Sequence, residues 1–365
     1  MHIQSLQVTN FRNYETAQVD FCRNTNIIYG DNAQGKTNLL EAVYLFSHGR
    51  SHRAKTDMEM LRFGADYFRL NIEFADSNRK YRAMIHYTSS GKKQIKVNNV
   101  PVAKLSKLIN YLNVVMFSPG DLELVKGSPS IRRRFLDEAI SQLYPAYLQS
   151  LIAYHRALTQ KNSLLKSLRL SGIHQDAQLS IWNEQLAEAG AAIMHSRQDF
   201  IVQLAVFAAE IHRQISGEEL MLSYAPNLDC NTADIRESFF QKLEQCQTRE
   251  IEAGASQYGI QRDDLRLFIN GNDTKTYGSQ GQQRTAVLSL KIAETEYIRQ
   301  VRDEYPILLL DDIMSELDLN RRLFLAEKIK DKQVLLTCTD SDIPVSTDNT
   351  RLFYVKNGIV MRKEE

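Results

Sequence analysis

The chain has 365 residues, and its 45 Lys and Arg residues nearly balance 44 Asp and Glu residues, giving a formal net charge of +1. A hydrophobic fraction of 43% and a charged fraction of 24% are ordinary for globular proteins and exclude a disordered or fibrous chain. The length predicts about two domains. The near-zero charge excludes a uniformly basic surface but is compatible with a local patch that binds nucleic acid.

Targeting and redox signals are absent from the sequence. No stretch approaches the roughly 18 consecutive apolar residues of a transmembrane helix, and the N-terminus lacks the charged and apolar regions of a signal peptide. The cysteines show no C-x-x-C spacing, which argues against a zinc site or a disulfide framework. We therefore expect a cytoplasmic protein. The four cysteines are Cys22, Cys230, Cys246 and Cys338.

The first third of the chain is predicted to be rich in β-strands. Apolar positions at residues 3–8 indicate an opening strand, and residues 26–29 form a short apolar run. Residues 67–74 and 81–87 alternate apolar and polar side chains, as half-buried strands do. The Asn-Asn pair at 98–99 then indicates a hairpin.

The middle third changes to a helical period. Apolar residues recur every three or four positions over 136–158 and 179–211, which predicts two long amphipathic helices joined near Ser171-Gly172. Pro145 is expected to bend or interrupt the first helix. Because the pattern is not a clean heptad, a compact helical domain is favoured over a long coiled coil.

The last third returns to α/β character. Residues 307–310 and 334–336 are continuous apolar runs, typical of parallel strands covered on both faces. A helical pattern occupies 279–299, and Asn357-Gly358 is a strong hairpin signal.

The order of these elements predicts how the chain is divided. Both ends have α/β character, whereas the middle is helical. We therefore expect one α/β domain made of 1–130 and 246–365, with a helical domain inserted at 131–245.

Residues 30–37 match the phosphate-binding pattern G-x-x-x-x-G-K-[ST] and lie between a predicted strand and a helical run, as this motif requires. Its glycines let backbone N–H groups face phosphate oxygens at a helix N-terminus. Lys36 would reach the β- and γ-phosphates, and the Thr37 hydroxyl would ligate Mg²⁺. The alternative is a plain glycine turn. The candidate nucleotide-binding residues here are Gly30, Asp31, Asn32, Ala33, Gln34, Gly35, Lys36, Thr37 and Asn38.

A second candidate is Asp311-Asp312, which follows the apolar run 307–310. A buried strand that ends in a carboxylate places it at the carboxyl edge of a parallel sheet, where ligands bind. Asp311 would hold the metal, and Asp312 would position the attacking water or accept its proton. The alternative is an ordinary strand end followed by an acidic turn.

The third element is the string Tyr277–Arg284, which contains Ser-Gln-Gly-Gln from Ser279 and ends about 27 residues before the acidic pair. A Ser hydroxyl and a glycine at the start of a helix make an anion site. The alternative is a helix start capped by Ser279.

Together these motifs resemble the heads of ABC-type ATPases of the SMC kind, and more closely the RecF family of bacterial repair proteins. The resemblance runs from end to end and rests also on the segments Asn10–Tyr14, Arg262–Leu265, Ser279–Thr285 and Leu310–Asp312. It implies an α/β ATPase head with an inserted helical domain.

The resemblance implies a mechanism that spacing alone does not. ATP with Mg²⁺ would drive head-to-tail dimerisation, and hydrolysis would release the dimer. Arg12 would join the nucleotide site, while Ser279, Gly281 and Gln282 of one subunit would touch the γ-phosphate held by the other. The family implies a weak, DNA-stimulated ATPase that binds single-stranded and gapped double-stranded DNA. Its partners would be RecR, with RecO, and RecA, which is loaded at gapped DNA.

The chain departs from these patterns at a few positions. ABC heads usually carry Glu after the metal-binding Asp, and Asp312 stands there, as in the RecF family. Thr339 stands near the usual switch His, and Gln261 replaces the His of a Gly-Pro-His string. No Q-loop residue is identified.

The charge is spread unevenly along the chain. Residues 50–96 carry a net charge of +6 and residues 131–170 of +5, whereas residues 301–318 carry −5. Without a base-reading motif, we expect contacts to backbone phosphates, although a solvated charged face is the alternative for each residue. The candidate DNA contacts are Arg132, Arg133, Arg134, Lys161, Lys166, Lys92 and Lys93. Three basic residues follow the helix that begins after the phosphate-binding motif, and they could instead serve the nucleotide pocket or form surface ion pairs. They are Arg50, His52 and Arg53.

Other function classes stay open at this point. A transporter ATPase subunit would use the same Ser-Gln-Gly-Gln string but usually carries the switch His. A small-molecule P-loop kinase would not need that string. A purely structural SMC-like scaffold would need longer helical arms.

Overall fold

The computed structural model describes residues 1–102, 107–173, 175–228, 234–340 and 350–363, and Cys230 lies outside them. The chain forms two compact units. The first consists of Met1–Asp121, Gln214–Ser216 and Val287–Glu365, and the second of Leu122–Arg213 and Gly217–Ala286.

The described residues form fifteen strands. They are β1 (His2–Phe11), β2 (Tyr14–Asp20), β3 (Thr25–Tyr29), β4 (Tyr67–Ala75), β5 (Lys80–Thr88), β6 (Lys93–Val97), β7 (Val100–Pro101), β8 (Val114–Phe117), β9 (Leu220–Ala225), β10 (Asp264–Ile269), β11 (Asn272–Asp273), β12 (Ile307–Asp311), β13 (Val334–Cys338), β14 (Arg351–Lys356) and β15 (Ile359–Lys363).

The described residues also form eleven α-helices. They are α1 (Lys36–His48), α2 (Glu123–Lys126), α3 (Pro129–Leu143), α4 (Pro145–Ser171), α5 (Gln178–Ser216), α6 (Ile235–Gln245), α7 (Gln247–Ala253), α8 (Thr274–Tyr277), α9 (Gln280–Arg302), α10 (Ile313–Glu316) and α11 (Leu319–Ile329).

The first unit contains two six-stranded sheets. The antiparallel sheet has the order β2-β1-β4-β5-β6-β7, and the other has the order β15-β14-β3-β13-β12-β8. In the second sheet all neighbours are parallel except β15, which forms a hairpin with β14. Inward-facing residues of both sheets and of α1 share one apolar core. The sequence-based expectation of an α/β head is confirmed.

Runs of apolar residues explain why the parallel sheet forms where it does. All residues of β12 and β13 are buried, because helices and the neighbouring sheet leave neither face to solvent. The hairpin expected at the chain's C-terminal end is present, with Asn357 and Gly358 both at positive φ, as a two-residue hairpin turn requires. The Asn98-Asn99 turn between β6 and β7 has the same geometry.

The second unit is mainly helical and carries the short sheet β11-β10-β9. Pro145 begins α4 and thereby ends the run of α3, which fits its missing N–H. The predicted boundaries of the inserted domain, 131–245, are too narrow. β10 pairs with β9 over six residues, and Arg132 on α3 forms an ion pair with Asp264, so 122–130 and 246–286 join this unit.

A buried charge network stabilises the second unit. The Arg197 side chain is 1% exposed, and its guanidinium donates to the carboxylates of Asp137 at 2.8 Å and Asp263 at 2.9 Å. Tyr224 donates its hydroxyl to Asp263. A buried ion pair is tolerated only when its polar atoms are hydrogen-bonded in this way.

Within the described part of the chain there is neither a membrane-spanning helix nor a disulfide bond. None of its helices is long and apolar enough to cross a membrane. Its cysteines are free thiols at Cys22, Cys246 and Cys338.

Gly190 in α5 offers a test of packing in the second unit. An added Cβ would lie 2.3 Å from Cε1 of the buried Phe239 and 3.1 Å from Cε2 of Tyr154. Alanine ordinarily stabilises a helix relative to glycine, but we expect Gly190→Ala to destabilise this unit by about 1–3 kcal/mol because of overpacking. Denaturant unfolding followed by circular dichroism measures the change. Gln203→Ala, at an exposed position of the same helix, is the control, and an equal effect of both substitutions would contradict the prediction.

Candidate functional site

The loop between β3 and α1 is shaped by two glycines that no other residue could replace. Gly30 has φ 144°, and a Cβ there would lie 2.3 Å from the carbonyl oxygen of Val355. Gly35 has φ 116°, and its Cβ would lie 2.6 Å from the side-chain amide of Asn13. Helix α1 begins directly after Gly35 without a side-chain cap. Its first N–H groups are therefore available to an anion.

The side chain of Lys36 is held inside this loop. Lys36 is 4% exposed, and its Nζ donates to the carbonyl oxygens of Gly30 at 2.7 Å and Asp31 at 2.9 Å. Both hydrogen-bond partners are neutral carbonyls, so a charged phosphate oxygen is a stronger partner for the ammonium group.

The parallel sheet brings Thr37 and Asp311 together. Thr37 donates its hydroxyl to Asp311 Oδ1 at 2.7 Å, and Thr337 on β13 donates to the same oxygen at 2.8 Å. β3, β13 and β12 are adjacent parallel strands, so their carboxyl ends meet at one edge of the sheet. The expected juxtaposition of the loop and the acidic strand is therefore present.

These oxygens fit a magnesium ion. A hydroxyl and a carboxylate are hard ligands, and Mg²⁺ commonly takes one or two protein oxygens and completes its shell with phosphate and water. Within the described ranges no group of three or more His, Cys, Asp or Glu residues could hold a metal ion by itself.

Asp312 lies beside this pair in a strained conformation. Its φ is 50°, and its N–H donates to the Thr337 hydroxyl at 2.9 Å. Burial raises the pKa of the Asp312 carboxyl, and the Asp311 charge adds to this effect, while Lys36 opposes it. A carboxyl with a raised pKa beside a phosphate site is suited to accept a proton.

Both ends of the chain brace the loop at Gln34. Asn13, which follows β1, donates its side-chain amide to the Gln34 carbonyl at 2.7 Å. The N–H of Asn357 donates to Gln34 Oε1 at 2.7 Å, and the N–H of Gly358 donates to the Gln34 carbonyl. Asn38 donates to Asn13 Oδ1 at 2.8 Å. The sequence alone placed Asn13 within a family string but gave it no such role.

Arg12 is held by a buried acid that the sequence analysis missed. Glu41 on α1 is fully buried and accepts from Arg12 Nε at 2.8 Å and Nη2 at 2.6 Å. Ser51 donates to the same carboxylate. Burial favours a higher pKa for Glu41, but these hydrogen bonds and the Arg12 charge outweigh it and lower the pKa. A Glu within the apolar run of α1 was the available signal.

A cavity of about 600 Å³ lies next to Arg12 and is open to solvent. Arg53, one of the alternative pocket residues, lines it and donates to Asn38 Oδ1 at 3.2 Å. The lining residues are Arg12, Asn13, Asn38, Arg53, Glu59, Leu61, Arg62 and Phe63.

The Ser-Gln-Gly-Gln string lies in the second unit and forms the start of α9. The N–H of Gln282 donates to Ser279 Oγ at 3.2 Å, and Ser279 N–H donates to Gln282 Oε1 at 2.9 Å. This reciprocal pair is a capping box. Gln282 Nε2 also donates to Glu218 at 2.7 Å. Ser279 therefore caps α9. A cap satisfies only part of the N–H groups at a helix start, so the others can still bind an anion.

Two of the proposed DNA contacts are wrong because their charges are buried in ion pairs. Lys161 is 0% exposed and lies 2.6 Å from the Glu250 carboxylate. Arg132 is 5% exposed and binds Asp264 with two guanidinium nitrogens, at 2.6 and 2.9 Å. Lys161 cannot reach a phosphate without leaving the buried Glu250 unpaired. Arg132 cannot reach one without leaving both Asp264 and its own buried position.

The other candidate DNA contacts differ in the partners and the exposure of their side chains. Arg133 donates to the Asp263 carbonyl, and Arg134 to Glu138 on the same helix. Lys93 pairs with Asp57 at 2.9 Å. Lys92 and Lys166 are exposed.

Two positions that depart from the family patterns lie in different surroundings. Gln261 accepts a hydrogen bond from the Tyr154 hydroxyl at 2.5 Å, which gives it a structural contact in the second unit. Thr339 is exposed just after β13.

Comparison with known proteins agrees with this geometry. The family model of the RecF/RecN/SMC N-terminal domain matches residues 2–360. The chain is 39% identical over 368 residues to the DNA replication and repair protein RecF of Lachnospira eligens, and the match covers all of both chains. It is 43% identical over 350 residues to the RecF of Halalkalibacterium halodurans, with 94% of each covered. The chain belongs to the RecF family.

Solved structures give the same result. The recombination mediator protein RecF with ATP, of the RecFOR pathway, matches with a TM-score of 0.93 and 35% identity over 100% of this chain and 98% of the other. An Smc head bound to the C-terminal winged-helix domain of ScpA matches with a TM-score of 0.58 at 15% identity, which shows the fold alone. The ABC-type, SMC-like head of this RecF-family chain is thus shown.

Glu41 provides a test of how Arg12 is held. We expect Glu41→Gln to lower the free energy of unfolding by about 2–3 kcal/mol near neutral pH, because it removes one member of a largely buried ion pair. Since the Glu41 pKa is lowered by folding, the difference should shrink as the pH falls below about 4.3, the ordinary Glu value. Urea unfolding at several pH values measures it.

Glu252→Gln is the matched control for that measurement. Glu252 is exposed on α7, and the same substitution there should leave the protein unfolding like the wild type. Equal stability of the Glu41 and Glu252 variants would contradict the assignment.

Asp312 gives a prediction of opposite sign. Because folding raises its pKa, ionised Asp312 destabilises the folded chain above that pKa, and the contribution vanishes below about pH 4, the ordinary Asp value. Asp312→Asn should therefore melt at a higher temperature than the wild type near pH 8, with a gap that closes toward pH 4. Asp66→Asn, at an exposed position, is the control for thermal melts without nucleotide. A pH-independent gap would refute the prediction.

Proposed function

We propose that this chain is an ATP-dependent DNA-binding protein of recombinational repair, in which ATP drives head-to-tail dimerisation around DNA and hydrolysis releases it. One observation carries the proposal: the 2.7 Å hydrogen bond between Thr37 and Asp311 at the carboxyl edge of the parallel sheet. It joins the phosphate loop to the acidic strand, which is the arrangement that nucleotide hydrolysis requires. The RecF structures solved with ATP support the same substrate.

The loop residues would bind and orient the triphosphate. The N–H groups at the start of α1 face the phosphates, and Lys36 exchanges its two carbonyl partners for phosphate oxygens. Thr37 and Asp311 would hold Mg²⁺, which neutralises charge on the β- and γ-phosphates when bound. Arg12, fixed by Glu41 and by the backbone carbonyl of Glu59, lines the adjacent cavity.

Asp312 would act on the attacking water. Its carboxylate is shorter than the Glu usual in ABC heads, so the water is held less firmly, which is consistent with slow turnover. The raised pKa of Asp312 suits it to accept the water proton. We propose a weak ATPase whose rate rises when DNA is bound.

Dimerisation would bring a second subunit to the γ-phosphate. Ser279, Gly281 and Gln282 of α9 in one subunit would contact the nucleotide held by the loop of the other. Gln282 now donates to Glu218 at 2.7 Å, so it must leave this carboxylate to reach a phosphate. That exchange would link the dimer to the presence of ATP.

The partners in this proposal come from the family. DNA, single-stranded or gapped double-stranded, would be the ligand of the dimer, and the cytoplasm would be its location. RecR and RecO would act with it to place RecA on gapped DNA. The RecFOR pathway named for the solved relatives supports this placement.

The test measures both DNA binding and the molecular mass of the protein in solution. With Mg-ATP we expect tighter DNA binding than with ADP or no nucleotide, and weaker binding as salt rises. Asp312→Asn should form a stable ATP-dependent dimer in light scattering, because it binds ATP but lacks the group that accepts the water proton. Lys36→Ala should lose nucleotide binding and both ATP effects.

Two results would refute the proposal. One is DNA binding that is indifferent to nucleotide. The other is a monomeric Asp312→Asn protein in saturating Mg-ATP. Asp66→Asn should behave as the wild type in both assays and serves as the control.

A further inference from the structure

The antiparallel sheet of the first unit has one face that the nucleotide site does not use. Alternate residues of β4 point into the core, where Phe68, Leu70, Ile72 and Phe74 are at most 1% exposed. The intervening residues form the opposite face, which is in contact with solvent. We define the outer face as nine residues on this side of β4, β5 and β6: Tyr67, Arg69, Asn71, Glu73, Arg82, Met84, His86, Gln94 and Lys96.

The strand register fixes where the charges of the outer face lie. Arg69 pairs with His86, which pairs with Gln94, and in the next row Asn71 pairs with Met84, which pairs with Lys96. Arg69 and Lys96 therefore lie on strands two apart, which are separated by about 10 Å. An extended chain of phosphates is therefore needed to contact both residues.

The outer face belongs to a strongly basic stretch. Residues 67–97 contain seven Lys and Arg residues and two acidic residues, a net charge of +5. Both acids have partners in the folded chain. Glu73 forms an ion pair with Arg82 at 2.8 Å. Asp76 accepts hydrogen bonds from the N–H groups of the loop that follows β4.

Of the three Lys and Arg residues on the outer face, Arg82 is paired with Glu73, whereas Arg69 and Lys96 are not paired with any acid that the structure describes. Both are exposed, and neither side chain has an ion-pair or hydrogen-bond partner among the residues the structure describes. Uncompensated cations spread over a flat face attract an extended polyanion.

An aromatic ring completes the chemistry of the outer face. Tyr67 is 38% exposed, and its ring lies 5.4 Å from that of His86. Cations for phosphates, amides and an exposed ring on an open sheet are the combination that binds single-stranded nucleic acid by stacking and charge. A membrane surface would require exposed aliphatic side chains, and Met84 of this face is only partly exposed.

We propose that the outer face is a contact surface for a single strand of DNA, with Arg69 and Lys96 against phosphates and Tyr67 against a base. The surface needs only one subunit and no nucleotide. It rests on the proposed function only in its choice of DNA as the partner.

The test is binding of the full chain to labelled oligothymidylate by fluorescence anisotropy, without nucleotide, over a series of salt concentrations. The variant Arg69→Gln/Lys96→Gln should bind more weakly than the wild type. The slope of log affinity against log salt should fall by about 1.4, since each lost phosphate contact on a single strand contributes about 0.7. Tyr67→Leu should weaken binding without changing the slope, because stacking releases no counterions.

Arg249→Gln/Arg266→Gln is the matched control. It removes the same charge from two exposed arginines of the second unit, so its slope should equal that of the wild type. If the outer-face variant has the slope of this control, the inference is overturned. Wild-type binding to anionic vesicles and not to the oligonucleotide would overturn it as well.

Repeating the titrations with Mg-ATP separates this inference from the proposed function. Suppose that ATP strengthens binding equally in the wild type and in the outer-face variant, and that the two have the same salt slope. This result would overturn the inference and leave the proposed ATP-dependent dimerisation around DNA standing. A reduced slope in the variant together with no effect of ATP on the wild type would support the inference and refute the proposed function. ATP hydrolysis without DNA should be unchanged in the outer-face variant.

Discussion

The site depends on the two hydrogen bonds that Asp311 Oδ1 accepts, from Thr37 at 2.7 Å and from Thr337 at 2.8 Å. These bonds tie together the loop after β3, the end of β12 and the end of β13. Each residue comes from a different part of the chain, and only the parallel pairing of the strands brings them within reach. A buried carboxylate left without these donors would be costly, so the edge of the sheet is ordered before any nucleotide arrives.

The loop itself is held from outside by the two chain ends. Gln34 receives hydrogen bonds from Asn13 and from the Asn357-Gly358 turn, and Gly30 packs against the backbone of Val355. The N-terminal strand and the C-terminal hairpin thus preorganise the phosphate site. Such bracing keeps the backbone N–H groups in place and reduces the ordering that nucleotide binding must supply.

Buried charges explain where the sequence-based interpretation went wrong. Arg132 and Lys161 stand in basic stretches and were predicted to contact DNA, but each is paired with an acid distant in sequence, Asp264 and Glu250. Charge counts along a chain cannot distinguish a cation that meets solvent from one that meets a carboxylate folded back from elsewhere. The same folding gives the Arg-Asp-Asp string a structural role, because Asp263 neutralises the buried Arg197.

Local pattern was sufficient for everything that depends on neighbours in sequence. The phosphate loop, the buried strands, the helix break at Pro145 and the hairpin at Asn357-Gly358 follow from short-range backbone preferences and hydrophobic period. The tertiary structure alone decided that Glu41 holds Arg12, that the second unit extends to Ala286, and which cations stay exposed. Those features are pairings between distant residues, and a pairing is determined by packing in three dimensions rather than by spacing along the chain.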